Sequence, residues 1–411
     1  MTKVFCHIGK IYQTRPANQP ALTGSRLADI PYISNAFLRV NTEGRITEVG
    51  KMADFEEKSV EQNIDLKGRT VLPCFVDSHT HLVFAAGRQD EFVMKIKGKS
   101  YEDIAAAGGG ILNSAKKLQN TSFEQLLEGA TERVASAVAC GTGAIEIKSG
   151  YGLTTEAELK MLQVISALKT RFDIPIKATF LGAHAFPSKD HEKYMDTLLF
   201  EMLPEIYKQQ LADYIDCFCE QHYFSPSQMQ SLLEKGAEYD LKPKVHVNQF
   251  NALGGIKVAV ACGALSVDHL EVLTHEDLEA LKGSPTLPVV LPGCSFFSKL
   301  PYAPAKKMIS EGFPLVLASD FNPGSAPSFN MAFVNTLACV QMGLLPEEAF
   351  NASTYNAAFA LELDNEVGSI TPGKRANFIV MQANKDLYDF SYHFGNPYID
   401  KVYINGKTFQ P

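Results

Sequence analysis

The chain lacks any hydrophobic run able to span a bilayer. Its apolar runs, such as Leu315-Val316-Leu317-Ala318, stop far short of the roughly 20 residues a membrane helix needs. The opening residues, Met1-Thr2-Lys3-Val4-Phe5-Cys6-His7, lack the apolar stretch of a secretory signal, so a cytoplasmic enzyme is the expectation. There is no basic stripe, and the net charge of -8 argues against nucleic acid as a partner, because phosphate binding needs clustered cations. The 8 cysteines form no CxxC pair, which suits reduced thiols in a reducing compartment. In the tightest group, Cys217-Phe218-Cys219-Glu220-Gln221-His222, the alternation reads as core packing of a strand in preference to a zinc site. Gly108-Gly109-Gly110 lacks the GxGxxG spacing and strand context of a dinucleotide loop, and reads instead as a mobile loop near the rim of the first barrel strand. No internal repeat or low-complexity segment is evident.

What is present is ordinary for a globular protein: 411 residues, 45% hydrophobic and 20% charged, enough for one large core with a smaller appendage. Eight apolar or β-branched runs, at 71–76, 143–147, 176–181, 215–219, 244–247, 265–267, 287–291 and 315–318, alternate with helical stretches. Those at 123–139, 155–170 and 228–239 carry apolar residues at spacings of three and four. Eight strands with helical crossovers predict an α/β fold, a (β/α)8 TIM barrel over residues 67–366. Residues 1–66 and 367–411 alternate short strand-like segments with Gly turns, and are expected to meet in one small β-sandwich domain built from both termini.

In such barrels chemistry gathers at the C-terminal ends of the strands. Here the first run ends in Asp77-Ser78-His79-Thr80-His81, whose two histidines, two apart on a strand, leave one face and can share one metal ion. The second delivers Lys148-Ser149-Gly150-Tyr151, the third His184, the fifth His246, the sixth Asp268-His269 and the eighth Ser319-Asp320. His191 and His275 fall in helical stretches and are read as structural. His79, His81, His246 and Asp320 fit the ligand set of one divalent ion, Zn2+ or Fe2+, with a position open for water. The pKa of such a water drops to about 7, which makes hydrolysis the natural reaction class. Asp320 is placed to take the water's proton, and His269 to stabilise the attacked oxygen. Arg88 is the candidate cation for an anionic small-molecule substrate, and the turn Asn322-Pro323-Gly324-Ser325 can offer donors to the same anion.

These residues resemble the amidohydrolase superfamily, as does the split sandwich. More narrowly, His79-Thr80-His81-Leu82-Val83-Phe84 with Arg88 and Glu91-Phe92, the stretch from Tyr101-Glu102 to Gly110-Ile111, Lys148-Ser149-Gly150-Tyr151-Gly152-Leu153 and Ser319-Asp320-Phe321-Asn322-Pro323-Gly324 resemble the imidazolonepropionase family. The resemblance runs through nearly the whole chain. It implies hydrolysis of the cyclic amide 4-imidazolone-5-propanoate to N-formimidoyl-L-glutamate in histidine degradation, with His79, His81, His246 and Asp320 as metal ligands and His269 near the reacting carbonyl. It further implies Arg88, Tyr151, His184 and Gln249 as substrate contacts, and Asn322, Gly324 and Ser325 as groups holding carboxylates. A homodimer is the expected assembly. Metal-dependent deaminases use a Glu three residues after the fifth-strand His, but this chain has Gln249, which can hydrogen-bond a ring N–H or carbonyl and cannot transfer a proton. That disfavours a deaminase. A binuclear hydantoinase-like site needs a modified lysine after the fourth strand, where 219–222 offers none, and a non-catalytic scaffold should have lost ligands that all stand here.

Overall fold

A computed structural model describes residues 1–58, 61–99 and 109–410. Part of the segment behind the family resemblance, 101–108, and with it the first glycine of the triplet, lies outside the described residues. Five strands come first: β1 (Thr2–Tyr12), β2 (Tyr32–Val40), β3 (Ile46–Lys51), β4 (Glu61–Asp65) and β5 (Thr70–Pro73). Eight more, β6 (Phe75–Asp77), β7 (Thr142–Lys148), β8 (Ile176–Ala183), β9 (Tyr214–Cys219), β10 (Lys242–Val247), β11 (Ser266–His269), β12 (Leu287–Val290) and β13 (Val316–Leu317), form a second sheet in sequence order, each parallel to the next. The chain then returns through β14 (Phe378–Met381), β15 (Ile399–Ile404) and β16 (Lys407–Thr408) to pair with β5. The expected TIM barrel and a separate sheet from both termini are therefore what the chain forms.

The terminal sheet divides at β1, which pairs β4 along residues 2–6 and β5 at Lys10 and Ile11, with a bulge between Phe5 and Ile8. Phe5, Leu38, Val71, Phe378 and Tyr403 share the core that this division encloses. One predicted strand is two. The run at 71–76 leaves the terminal sheet at Pro73, whose missing N–H cannot extend a ladder, and enters the barrel at Phe75. Cys74 N still bonds Asn377 O, whereas Phe75 N bonds Gly141 O, so the switch occupies one residue.

Helices between the strands are capped as their sequences require. Phe123–Ala139 begins with a capping box of Ser122 and Gln125, and Thr155–Arg171 is capped by Thr154. The stretch read as 228–239 runs Pro226–Ala237 instead, because Ser225 and Gln228 form the capping box and Pro226 takes the first helical turn. Among the described residues, no helix is long and apolar enough to cross a membrane.

The barrel closes between its last and first strands beyond their regular ends. Asp320 N donates to His79 O (3.0 Å), His81 N to Phe321 O (2.8 Å), and Thr80 bridges Phe321. Beneath them, buried Asp77 accepts from Ser319 N (3.0 Å) and Ser319 Oγ (2.5 Å). Asp77→Ala leaves both donors buried and unpaired, so we expect a loss of about 2–5 kcal/mol in urea unfolding. A change below about 0.5 kcal/mol would show that the seam does not rest on this carboxylate.

Candidate metal centre and active site

The same seam brings the predicted ligands together. His79 Nε2 lies 3.2 Å from His81 Nε2, which lies 3.3 Å from His246 Nε2. Asp320 Oδ1 sits 3.6 Å from His79 Nε2 and 3.4 Å from His81 Nε2. All four are buried. Two imidazoles are oriented from behind: His79 Nδ1 is 2.6 Å from Asp268 Oδ2 and His246 Nδ1 is 2.9 Å from Asp216 Oδ2. A carboxylate can only accept, so each Nδ1 carries the proton and each Nε2 turns its lone pair inward. Burial pushes His79 well below the ordinary imidazole value and His246 down to about 4, which keeps both neutral at pH 7. Converging lone pairs beside a carboxylate repel one another in a dry site unless a cation lies between them. Three neutral imidazoles and an ionised carboxylate are the donors a divalent transition metal takes, and the site fits one.

The orienting carboxylates are themselves held. Asp216 shares Lys148 with Glu146, at 3.0 Å and 2.8 Å from the ammonium, and all three side chains are fully buried in the barrel. Burial raises Asp216, but His246 and Lys148 outweigh it and hold the carboxyl below its usual range. Burial also pushes Asp268 up to about 6 against the pull of Lys244 and Lys148, while Ser266 Oγ donates to it at 2.6 Å. Lys148 and Asp268 were placed at strand ends from sequence without a supporting role, and Glu146, Asp216, Lys244 and Ser266 were not singled out. The available signal was a charge inside an apolar strand, as in Ala144-Ile145-Glu146-Ile147-Lys148 and Tyr214-Ile215-Asp216-Cys217. Cys217 and Cys219 are buried core residues, as their alternation suggested, and His222 is exposed.

A cavity of about 290 Å³ opens above the centre. Its lining includes His81, His246, His269 and Asp320, and every predicted substrate contact: Arg88, Tyr151, His184, Gln249, Asn322, Gly324 and Ser325. His79 is fully buried and does not reach the lining. Glu91, named from sequence only as part of the family motif, and Lys95, which was not singled out, also face the cavity. His184 stacks on His81 at 5.1 Å between centroids, and its Nδ1 lies 3.1 Å from Gly150 O. Gly150 has φ +110, and a Cβ there would meet Leu181 O and the His184 ring, so only glycine fits. The loop carrying Tyr151 is pinned by buried Glu158, which accepts from the N–H groups of Gly150, Gly152 and Leu153 at 2.7–2.9 Å. Glu158 lies in the first turn of an otherwise ordinary helix and gives no sequence signal.

Arg88 donates through Nε to Ser114 Oγ at 2.9 Å and stands 5.8 Å from the Tyr151 ring. Its guanidinium passes so close to Gly324 that a Cβ there would lie 2.6 Å from it. In the turn after Asp320, Gly324 N and Ser325 N both donate to Asn322 Oδ1, at 2.8 Å and 2.7 Å. Those two N–H groups thus hold the turn itself in shape. Gln249 Nε2 donates to Cys294 Sγ at 3.3 Å. His269 Nδ1 faces Glu271 Oε1 at 3.4 Å, and although burial opposes its charge, Glu271 and the nearby aspartates raise its pKa above the ordinary value. His269 and Asp320 have φ of +91 and +53, left-handed values that L residues keep only where surrounding structure enforces them.

The amidohydrolase family model matches residues 300–409. The imidazolonepropionase of Christiangramia forsetii is 50% identical over 410 residues, covering 99% of this chain and 100% of that protein, and that of Flavobacterium johnsoniae is 49% identical over the same coverage. The imidazolonepropionase of Alkaliphilus metalliredigens is 37% identical across 97% of this chain and 96% of its own length. Among solved structures, E. coli guanine deaminase superposes with a TM-score of 0.75 at 16% identity, over 100% of this chain and 99% of that one. A triazine hydrolase variant gives 0.76 at 14% identity, over 99% and 94%; both likenesses speak to the fold alone. Half-identical, full-length relatives establish that the chain belongs to the imidazolonepropionase family of amidohydrolases.

Proposed function

We propose that the chain hydrolyses the ring amide of 4-imidazolone-5-propanoate to N-formimidoyl-L-glutamate in histidine degradation, using one Zn2+ or Fe2+ held by His79, His81, His246 and Asp320. The observation that carries this reading is the convergence of four metal donors at one centre beneath a cavity that a guanidinium also lines. A divalent ion bound there supplies Lewis acidity and acidifies water. Asp320, held below the usual carboxylate range by His81, His269 and His246 despite its burial, is ionised at pH 7 and accepts the proton of the attacking water. The water oxygen bonds to the ring carbonyl carbon, and the charge that develops on the carbonyl oxygen is met by His269, which Glu271 keeps inclined to hold a proton. The carbon–nitrogen bond then breaks, and the proton on Asp320 passes to the departing ring nitrogen. Gln249 and His184 orient the ring by hydrogen bonds, and Arg88 takes the propanoate carboxylate with Tyr151 beside it.

Deamination needs a proton-transferring carboxylate where this chain has Gln249, so ring opening is the better supported reaction. The residue assignment is tested by metal analysis with steady-state kinetics. Asp320→Ala should lose the bound ion and reduce kcat at least about 10³-fold. Gln249→Ala should keep the ion and raise KM by about 3–10-fold. Normal metal content with near-normal turnover in the Asp320 variant would refute the assignment. For the anion contact, Arg88→Met removes charge-assisted bonds, and KM should rise about 10–100-fold with a smaller change in kcat. An unaltered KM would mean that another group, such as the Lys95 ammonium in the same lining, meets the carboxylate.

A further inference from the structure

Beside the histidine centre lies a second convergence of metal-binding side chains. His269 ends β11, Glu271 follows it, and Cys294 sits in the helix Pro292–Ser298 that follows β12. Their donor atoms lie within 4.8 Å of one another, and all three residues are buried. Glu271 Oε1 is engaged, receiving Ser295 Oγ at 3.1 Å and facing His269 Nδ1 at 3.4 Å. Its other oxygen, Oε2, is buried with no hydrogen-bond partner among the described residues. A buried carboxylate oxygen without a protein partner is costly, and a cation is one group that would satisfy it. The mechanism proposed above gives Cys294 no work, yet it stands behind the cavity, against Gln249, Asp320 and Ser325.

We propose that His269, Glu271 and Cys294 form a second cation site, separate from the three-histidine centre, that takes a thiophilic divalent ion such as Zn2+ or Cd2+. One imidazole, one carboxylate and one thiolate are a three-ligand set of the kind zinc accepts, and the sulfur favours soft ions over Mg2+ or Ca2+. Binding forms a metal–sulfur bond and releases the thiol proton to solvent. An ion there engages His269. On the reading that His269 meets the developing oxyanion, a second ion inhibits the enzyme. Excess zinc would thus act against the ion that activates.

The test is a Cd2+ titration of protein already carrying one equivalent of Zn2+, followed by thiolate-to-cadmium charge-transfer absorption, by bound metal per chain after gel filtration, and by turnover. The three-histidine centre holds no sulfur, so exchange of Cd2+ into it gives no such band. Wild type should take a second ion per chain with a saturating band and a parallel loss of turnover. Cys294→Ser should stay at one ion and show no band. Glu271→Gln, which keeps the thiol, should bind the second ion about tenfold more weakly or worse, the scale seen when even an outer partner of a metal ligand is lost. A wild-type protein that stops at one ion, or a band that survives in Cys294→Ser, overturns the second site. A second ion with its band but undiminished turnover leaves the site standing and removes the proposed role of His269.

Discussion

Three imidazole nitrogens and a carboxylate oxygen meet at the point where the barrel closes on itself, and a network of buried charge behind them holds them there. Neutral imidazoles aim lone pairs at one another only if something behind them fixes the tautomer and something between them accepts the electrons. Asp268 and Asp216 supply the first, at 2.6 Å and 2.9 Å from the outer nitrogens of His79 and His246. A divalent ion, when bound, would supply the second. The backbone bonds that seal the barrel, from Asp320 to His79 and from His81 to Phe321, belong to the ligand residues themselves. The closure of the barrel and the centre therefore share the same residues.

This arrangement explains a barrel interior that is unusually polar beneath its active face. Glu146, Lys148 and Asp216 form a fully buried triad, and removing one member would strand the others. Buried ion pairs seldom add net stability over apolar packing. The reason to keep this one is positional, because Lys148 neutralises the carboxylate that orients His246. The left-handed backbone of His269 and Asp320 belongs to the same economy, in which local strain at the strand ends is held by packing around it.

Much of this was legible in the chain. Eight apolar runs announced the barrel, and an HxH followed by single histidines and an aspartate at later strand ends pointed to the side chains that converge at its seam, because strand periodicity fixes which side chains share a face. The cavity gathers Arg88, Tyr151, His184 and Gln249 from four separate loops or strand ends, which the resemblance to the family implied and spacing alone did not. Other features were invisible for physical reasons. Pro73 separates two sheets within one uninterrupted apolar run, and hydropathy carries no record of which partner strand each half meets. Glu158 looks like any acidic residue in a helical first turn, although its carboxylate ties down the Tyr151 loop. Asp268 reads as a rim residue like its neighbour His269, but strand alternation sends it behind the centre to His79. Cys294 and Glu271 are distant in sequence, and only the adjacency of β11 and β12 brings them together.

The most direct test of a metal-dependent ring-opening site is turnover of freshly prepared 4-imidazolone-5-propanoate by the purified protein, with the product identified by mass, before chelation, after it, and after one equivalent of Zn2+ or Fe2+ is restored. The account predicts N-formimidoyl-L-glutamate that disappears with the ion and returns with it. Turnover undiminished in metal-free protein, or absent from protein carrying one ion per chain, would contradict it.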